Sequence, residues 1–425
     1  MMLSNLSVPL LGMVDTAVMG HLDHSYYMGA VAIGALIFSF VFWGFGFLRM
    51  GTTGLVAQDM GAGKTQHANY TLVRGTIIAL VLSALVLVLQ PLIAWLAFIA
   101  IDASAEVEHH ANIYFGIRIW STPAVLVTYV VVGWFLGQKN ARIPLIITVA
   151  VNVINIILDL VFVVGLSMTI EGVAWASVIA DYAGLTIAIV FAWSVLKQQK
   201  PELAKTILFE RDAMLRLFHV NHTIFVRTLC LVFAFAFFTA QGAEFGDTIL
   251  AANALLLNFQ TLMAYVLDAF AHAAEALVGH DIGEQNRAAL EQTVKNIFLW
   301  SLIFAILFSL VYWLCGTLII AAMSDIEVVR QTAHEYLPWL IVLPLISVWS
   351  FAYDGIFIGA TRTRAMRDSM LVSTFLVFLP AWYVFQFLDN HGLWLASCFF
   401  LAARGITLGI IWNKYSRDNS LFQSA

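Results

Sequence analysis

The sequence predicts an all-α polytopic membrane protein with twelve transmembrane helices. Of its 425 residues, 61% are hydrophobic and only 11% are charged, whereas a water-soluble chain carries roughly 25% charged and about 45–50% apolar residues. One span needs about 20 mainly apolar residues, so the composition suffices for about a dozen spans. The net charge of −5 provides no basic face for phosphates, so we expect no nucleic-acid partner.

Apolar runs separated by short polar breaks give the positions of the helices. The first run barely reaches spanning length and has no basic flank, which suggests that Met1 lies inside the native first helix. We expect helices near residues 1–20, 27–58, 68–98, 107–136, 143–165, 172–196, 214–239, 248–279, 290–322, 331–360, 367–388 and 392–413.

The basic residues predict the orientation of the chain in the membrane. Most of the 21 Lys and Arg residues fall in the even-numbered breaks and the C-terminal tail, while the odd-numbered breaks are mainly acidic. Because positive charge marks the cytoplasmic side, we expect both termini in the cytoplasm of a bacterial inner membrane. The cysteines Cys230, Cys315 and Cys398 lie inside apolar runs, so neither a disulfide framework nor a zinc site is expected.

An internal repeat divides the predicted helices into two groups of six. Residues 222 positions apart are identical in two separate regions, although apolar segments can also match by coincidence. The sequence therefore predicts two parallel six-helix repeats, an N-lobe at 1–198 and a C-lobe at 214–425. A cytoplasmic linker at 199–213 joins them. The clearest identities are Leu55, Val56, Asp59 and Gly61 with Leu277, Val278, Asp281 and Gly283, and Gly133, Phe135, Gly137 and Arg142 with Gly355, Phe357, Gly359 and Arg364.

Charged residues within the apolar runs are the candidate functional residues. Each costs at least about 2.5 kcal/mol at the bilayer centre, so each should face a partner, the protein interior or a water-filled cavity. The acids are Asp15, Asp159, Asp181, Asp268, Glu275 and Asp354, and the bases are Arg49, Arg118, Arg227 and Arg404.

Asp15 and Asp159 form the most informative pair of acids. Both precede the end of an outward-running helix by a similar number of residues, so both should lie about 7–9 Å below the outer face. Asn152, Asn155 and Asp159 share one face of the fifth predicted helix. We expect these groups to carry a proton or a cation, or alternatively to form a polar network that joins helices.

The remaining buried charges favour ion pairs. Asp268, His272 and Glu275 share a helix face, and we expect them to pair with Arg227 or Arg404 in the same half. A substrate or proton role for Asp268 and Glu275 stays open, whereas three ligands on one helix do not favour a metal site. Arg49, Arg118, Asp181 and Asp354 are interpreted as members of structural ion pairs.

Three segments resemble the multidrug and toxic compound extrusion (MATE) transporters. They are residues 9–22 (PLLGMVDTAVMGHL), the Asn152-x-x-Asn155-x-x-x-Asp159 pattern and residues 355–364 (GIFIGATRTR). The last of these, together with residues 267–279, resembles the DNA-damage-inducible protein F branch. The resemblance implies two six-helix lobes that form a V, and an antiporter that expels organic compounds against inward H⁺ or Na⁺.

The resemblance also suggests roles for individual residues. Asp15 would bind the proton or cation, and Asn155, Asp159 and Ser177 would line the same N-lobe network with Tyr114 nearby. Thr128 stands where relatives often have an asparagine in the fourth helix, which leaves that ligand in doubt.

We therefore expect a monomeric antiporter that exports organic, amphipathic or cationic compounds, with no cofactor besides the coupling ion. The alternative is a flippase for a lipid-linked precursor in the same superfamily, which would need a basic cavity for its diphosphate. An enzyme is not expected, because no catalytic motif is found. The Gly61-Ala-Gly63-Lys64-Thr65 segment lacks the first glycine of a P-loop, since Gln58 occupies that position.

Overall fold

A computed structural model describes residues 25–100, 104–199, 205–418 and 421–422 of the chain. Within these ranges the elements are helices, and no strand occurs. Eleven helices in the described part are long and apolar enough to cross a membrane, in agreement with the predicted all-α polytopic class. The predicted first helix at 1–20, with Asp15, lies outside the described residues.

The first of two compact units comprises Met1–Val56 and Lys64–Phe218. Three predicted helices are interrupted, at Phe45–Gly46, at Leu89 and at the 3-10 turn Ile119–Ser121. The last two breaks lie just before Pro91 and Pro123, because proline lacks an N–H donor and disfavours helical geometry in the residue before it. The helices are α1 (Ser25–Gly44), α2 (Phe47–Gly61), α3 (Thr65–Val88), α4 (Gln90–Ala100), α5 (Ala105–Arg118), α6 (Thr122–Gly137), α7 (Arg142–Asp159), α8 (Ile170–Gln199) and α9 (Lys205–Leu208).

The second compact unit comprises Ala57–Gly63 and His219–Ala425. It therefore includes the last turn of α2, which the sequence did not predict. The lobe limits of 1–198 and 214–425 stay a prediction. The helices are α10 (Arg211–Glu244), α11 (Asp247–Gly283), α12 (Arg287–Met323), α13 (Glu327–Gly359), α14 (Thr363–Leu371), α15 (Leu379–Phe385) and α16 (Asn390–Arg417), with a π-helical segment at Val372–Phe378 between α14 and α15.

The 222-residue repeat is visible in the ends of the helices. The apolar segment Ala105–Gly137 corresponds to Glu327–Gly359, and both contain 33 residues. Turns at equivalent positions also share left-handed backbone geometry, with φ of 71° at Gly63 and 56° at Gln285, and 60° at Lys139 and 53° at Thr361. The predicted parallel repeat is therefore confirmed at the level of local structure.

Glycines at equivalent positions allow two close helix crossings. A Cβ atom on Gly133 would lie 2.5 Å from the Arg49 carbonyl oxygen, and one on Gly355 would lie 2.2 Å from the Ala271 carbonyl oxygen. Arg49 and Ala271 are themselves 222 positions apart. Small residues at such crossings let the backbones of membrane helices approach, which gives the van der Waals contact that holds them together.

A basic residue anchors the segment that joins the two halves of the sequence. The buried Arg74 side chain donates from Nε to the Leu208 carbonyl at 2.9 Å and from Nη2 to the Ile207 carbonyl at 2.5 Å. Asn69 on the same helix donates to Gln199 at 2.9 Å. Arg74 therefore lies on α3 and binds the last carbonyls of α9, where a helix carries partial negative charge.

We predict that Gly355→Ala destabilises the protein by about 1–3 kcal/mol, because the added methyl group overlaps a backbone oxygen that cannot move independently. Thermal unfolding of the purified protein, followed by intrinsic fluorescence, measures the effect. Gly116→Ala is the matched control, since a Cβ atom there meets nothing within 4 Å. Equal unfolding temperatures for both variants and the wild type would contradict the proposed crossing.

We predict that Arg74→Ala releases the segment around α9 and increases the rate of tryptic cleavage at Lys205 or Arg211 by about threefold or more, since local opening controls proteolysis. The fragments are read by mass spectrometry after limited digestion. Lys64→Ala serves as control, because Lys64 is exposed in the loop before α3. Cleavage at the wild-type rate in Arg74→Ala would show that these hydrogen bonds do not hold the segment.

Candidate functional site

A buried polar network lies between α7 and α8 in the first unit. Asp159 and Asn155 are 0% and 1% exposed, and Asn152 and Ser177 are also buried. With its amide nitrogen toward Asp159, Asn155 donates to the carboxylate at 3.0 Å and accepts from the Ser177 hydroxyl at 3.1 Å. The spacing of four residues between Asn155 and Asp159 places both side chains on the same face of α7, so the structure brings together three of the residues selected from sequence.

The backbone changes conformation directly after this network. Asp159 is the last residue of α7, and Leu160–Gly165 is π-helical. Single π-helical segments interrupt the regular hydrogen-bond pattern and occur often at functional sites. The acid therefore sits at the junction of two helical forms, which fixes its direction relative to α8.

A partly buried ion pair forms a second polar group in the first unit. Arg118 at the end of α5 pairs with Asp181 on α8, and it also donates to the Ser121 hydroxyl at 2.8 Å. Tyr114, one turn earlier, lies within hydrogen-bonding reach of Arg118. The structure therefore associates Tyr114 with this ion pair, whereas the resemblance had suggested a place near the Asp159 network.

Two further residues selected from sequence lie on neighbouring helices. The Thr128 hydroxyl on α6 is buried and makes no hydrogen bond to any described residue. Arg49 is half-buried on α2 at the crossing with Gly133. The ion pair expected for Arg49 stays a prediction, and Asp15 is outside the described residues.

Three helices of the second unit meet at a buried charge cluster. The Asp354 Oδ2 atom on α13 accepts from Arg227 on α10 and, at 2.7 Å, from Arg404 on α16. The side chains of Arg227, Asp354 and Arg404 are 9%, 9% and 3% exposed. We refer to these three residues as the buried charge cluster.

Both arginines hydrogen-bond to Asp354, which the sequence had suggested as a member of a structural ion pair. Helix α13 packs along α16, and this packing brings Asp354 and Arg404 together although they are 50 residues apart in sequence. The expected pairing of these arginines with Asp268 and Glu275 on α11 stays a prediction. Asp268 still interacts electrostatically with Arg404 at longer range, and Glu275 is buried on the same helix.

Candidate metal ligands group elsewhere on α11. In the described ranges, the residues whose ligand atoms lie within 4.8 Å of one another are His280, Asp281 and Glu284 rather than Asp268, His272 and Glu275. The members of this group already have partners inside the protein, since His280 pairs with Glu284 at 3.2 Å and Asp281 accepts from Thr293 at 2.6 Å.

Sequence reasoning missed a neutral network in the second unit. The buried side chains of Asn253 and Asn390 donate to each other at 2.7 and 3.0 Å, and Trp394 Nε1 donates to Asn253 at 3.0 Å. Gln58 was likewise considered only as a P-loop position, yet it donates to the Gly359 carbonyl at 3.0 Å. A search of the apolar runs for amides as well as charges would have found these residues.

A model of the MatE family matches the chain twice, at residues 1–161 and 223–384. The two matches begin 222 residues apart, which is the offset of the internal repeat. They cover most of the chain and include all the polar groups described above except Ser177, Asp181 and those on α16.

Curated relatives and solved structures agree with this match. The chain is 42% identical over 424 residues to DNA damage-inducible protein F of Escherichia coli (strain K12), covering 99% of this chain and 92% of that protein. It is 22% identical over 427 residues to multidrug resistance protein NorM of Vibrio vulnificus (strain YJ016), covering 97% and 93%.

The fold is shared with a crystal structure of the Vibrio cholerae MATE transporter VcmN in the bent form, at a TM-score of 0.85 and 21% identity, covering 99% of this chain and 96% of that one. A MATE crystal structure in the bent conformation gives a TM-score of 0.86 at 17% identity, covering 100% and 94%. The chain therefore belongs to the MATE family of multidrug and toxic compound efflux transporters, in the branch of DNA damage-inducible protein F.

Proposed function

We propose that this transporter is a secondary active antiporter, which exports organic, amphipathic or cationic compounds in exchange for inward H⁺ or Na⁺ by alternating access. The observation that supports the proposal is the buried network of Asp159, Asn155 and Ser177 in the first unit. A carboxyl group inside a membrane protein is costly and typically serves an ion pathway or a proton relay. By the family resemblance, Asp15 would contribute to the same network.

The Asn155 amide provides a way for the network to exist in two protonation states. When Asp159 is ionised, the amide nitrogen donates to the carboxylate at 3.0 Å and the amide oxygen accepts from Ser177. When Asp159 is protonated, the amide turns over, its oxygen accepts from the carboxyl O–H, and its nitrogen donates to the Ser177 oxygen at 3.1 Å. Because the Asn155 amide contacts both Asp159 and Ser177 in either orientation, the proton can bind and leave while these side-chain hydrogen bonds are kept.

Coupling requires that the proton and the substrate favour different conformations of the transporter. In the proposed cycle, ionised Asp15 and Asp159 hold the state that accepts substrate. Protonation from the outer side removes the negative charge, rearranges the network and releases the substrate outward. The transporter would act as a monomer in a bacterial inner membrane, with both termini in the cytoplasm.

The hydrogen bonds of the network suit H⁺ as the coupling ion. Asn155 contacts both Asp159 and Ser177 at 3.0–3.1 Å, and its amide can accept a hydrogen bond from a protonated carboxyl group. Na⁺ remains the alternative, because carboxylate, amide and hydroxyl oxygens are also suitable ligands for a hard cation.

The flippase alternative would need a basic cavity for a diphosphate. Arg227 and Arg404 are the buried residues that favour it, but Asp354 lies between them and accepts from both. The acidic network in the first unit has no role in diphosphate binding, so antiport accounts for more of the buried polar residues.

We predict that Asp159→Asn reduces proton-driven efflux of ethidium by about tenfold or more in everted vesicles, because the amide cannot take up a proton; losses of this size are typical for a proton-transfer group. Asp15→Asn should have the same effect. Glu335→Gln is the control, since Glu335 is an exposed acid of the second unit. Wild-type efflux by both aspartate variants would show that the coupling assignment is wrong.

We predict that substrate addition changes the internal pH of proteoliposomes in buffers free of Na⁺, as measured with an entrapped pH-sensitive dye. The Asn155 amide can turn over to accept the proton that Asp159 carries, so no other ion is required. Liposomes without protein give the passive background. A pH change that occurs only when Na⁺ is present would instead assign Na⁺ as the coupling ion.

A further inference from the structure

A cavity between α12 and α16 of the second unit has basic and aromatic walls. Its volume is about 270 Å³, which is room for several water molecules at about 30 Å³ each. The two helices both pack against α13, so the cavity lies in the gap beside that helix. Its walls include Arg287, Leu290, Lys295, Trp412, Tyr415 and Leu421.

Two aromatic rings of α13 fill the space between the same two helices further along. The Tyr353 ring centre lies 4.9 Å from that of Phe298 on α12, and a Cβ atom on Gly409 of α16 would lie 3.2 Å from the Tyr353 hydroxyl oxygen. Trp349, one turn away, lies 5.6 Å from Phe298, and a Cβ atom on Gly405 would lie 2.9 Å from its Cβ atom. Because α16 has glycines at both positions, the two rings fit between α12 and α16.

These rings connect the cavity to the lipid-facing surface of the second unit. Phe357 on α13 lies 6.3 Å from Tyr353, and it contacts the wall residues Trp412 and Tyr415 at 5.8 and 6.3 Å between ring centres. At the other end of the row, Trp349 is 42% exposed within an apolar helix long enough to span a membrane. An apolar chain that starts at the cavity can therefore follow an aromatic surface into the bilayer.

Basic residues outnumber acidic ones around the cavity. Lys295 is exposed and is the last charged residue of α12 before its long apolar run. Arg287 pairs with Glu291 at 3.0 Å, whereas no ion pair within the described ranges includes Lys295. The Arg362 guanidinium carbon lies 5.5 Å from the centre of the Tyr415 ring. The cavity therefore carries net positive charge where the polar ends of the helices meet their apolar runs.

The charge distribution indicates the depth of the cavity in the membrane. Lys414 and Arg417 end α16 on the same side as the cavity, and positive charge is typical of the cytoplasmic surface. Tryptophan and tyrosine, here Trp412 and Tyr415, are enriched at the level of the lipid headgroups. We therefore expect the cavity to face the headgroups of the cytoplasmic leaflet.

We propose that this cavity binds the headgroup of an anionic phospholipid of the phosphatidylglycerol type, with its phosphate on Lys295 and one acyl chain along Tyr353 and Trp349. Basic pockets between membrane helices on the cytoplasmic side are suited to anionic headgroups. Phosphatidylcholine has the same phosphate, but its quaternary ammonium group would add a positive charge beside Arg287. The inference goes beyond the proposed export function, because it assigns a lipid site to the second unit and does not depend on the coupling ion.

Native mass spectrometry of the purified transporter in detergent measures lipid binding directly. The probes are phosphatidylglycerol and phosphatidylcholine with identical acyl chains, and we expect the wild type to bind the first about fivefold or more tightly than the second. Lys295→Gln should weaken phosphatidylglycerol about fivefold, the effect of one basic residue near a charged surface, and leave phosphatidylcholine within about twofold. Lys64→Gln removes the same charge from an exposed position of the first unit and should change neither affinity.

Further arms separate the headgroup from the acyl chain. Lys295→Arg should keep the preference for phosphatidylglycerol, because the charge is retained. Trp349→Leu should weaken both lipids by a similar factor, because it removes aromatic contact area but no charge. Inorganic phosphate in excess should not displace phosphatidylglycerol, since it has no chain to place along α13.

The proposal is wrong if the wild type binds both lipids equally, or if Lys295→Gln and Lys64→Gln weaken phosphatidylglycerol to the same extent. The second result would mean that only the overall surface charge attracts the lipid. Displacement by inorganic phosphate would show an anion site rather than a lipid site. Because binding is measured without an ion gradient, its failure is distinct from a loss of coupling in Asp159→Asn, which concerns the first unit.

Discussion

The cost of placing charge inside a membrane is the constraint on which the other features depend. A buried charge persists only if a partner or a water-filled cavity compensates for lost hydration. The structure meets this condition differently in each unit. In the first, Asp159 accepts from the Asn155 amide, which in turn contacts the Ser177 hydroxyl, whereas in the second, Asp354 accepts from two arginines. The buried acids of the two units therefore have different partners, an amide for Asp159 and two guanidinium groups for Asp354.

The internal repeat explains how one fold supports two different chemistries. Equivalent helices begin and end together, and equivalent glycines such as Gly133 and Gly355 allow the same close crossings. Backbone geometry is therefore common to both halves, and the side chains that face each interior are free to differ. The first unit accordingly carries the network of Asp159, Asn155 and Ser177, and the second carries the buried charges of Arg227, Asp354 and Arg404.

Hydropathy predicted the fold well because the bilayer restricts the chain so strongly. Backbone groups in lipid must be hydrogen-bonded within a helix, so long apolar runs leave few alternatives. The helix breaks at Leu89 and Ile119 follow from nearby prolines, but the break at Phe45–Gly46 has no comparable signal. The face shared by Asn155 and Asp159 was predictable because helical spacing alone determines it.

Contacts between distant helices were not predictable in the same way. Arg227 and Arg404 were recognised as buried bases, yet their shared contact with Asp354 could not be derived from sequence, because the packing of α13 against α16 is a tertiary property. The Asn253–Asn390 pair was missed because only charges within apolar runs were examined. Buried charged and amide residues can thus be found from sequence, whereas the residues they contact can be identified only from the structure.

The central claim is that Asp159 takes up and releases the proton that drives transport. Infrared difference spectroscopy on the reconstituted protein measures this directly, through the carbonyl stretch of a protonated carboxyl group. The account predicts that this band decreases when substrate binds and that Asp159→Asn removes its substrate-dependent part. A substrate-dependent carboxyl band of unchanged size in Asp159→Asn would contradict the account.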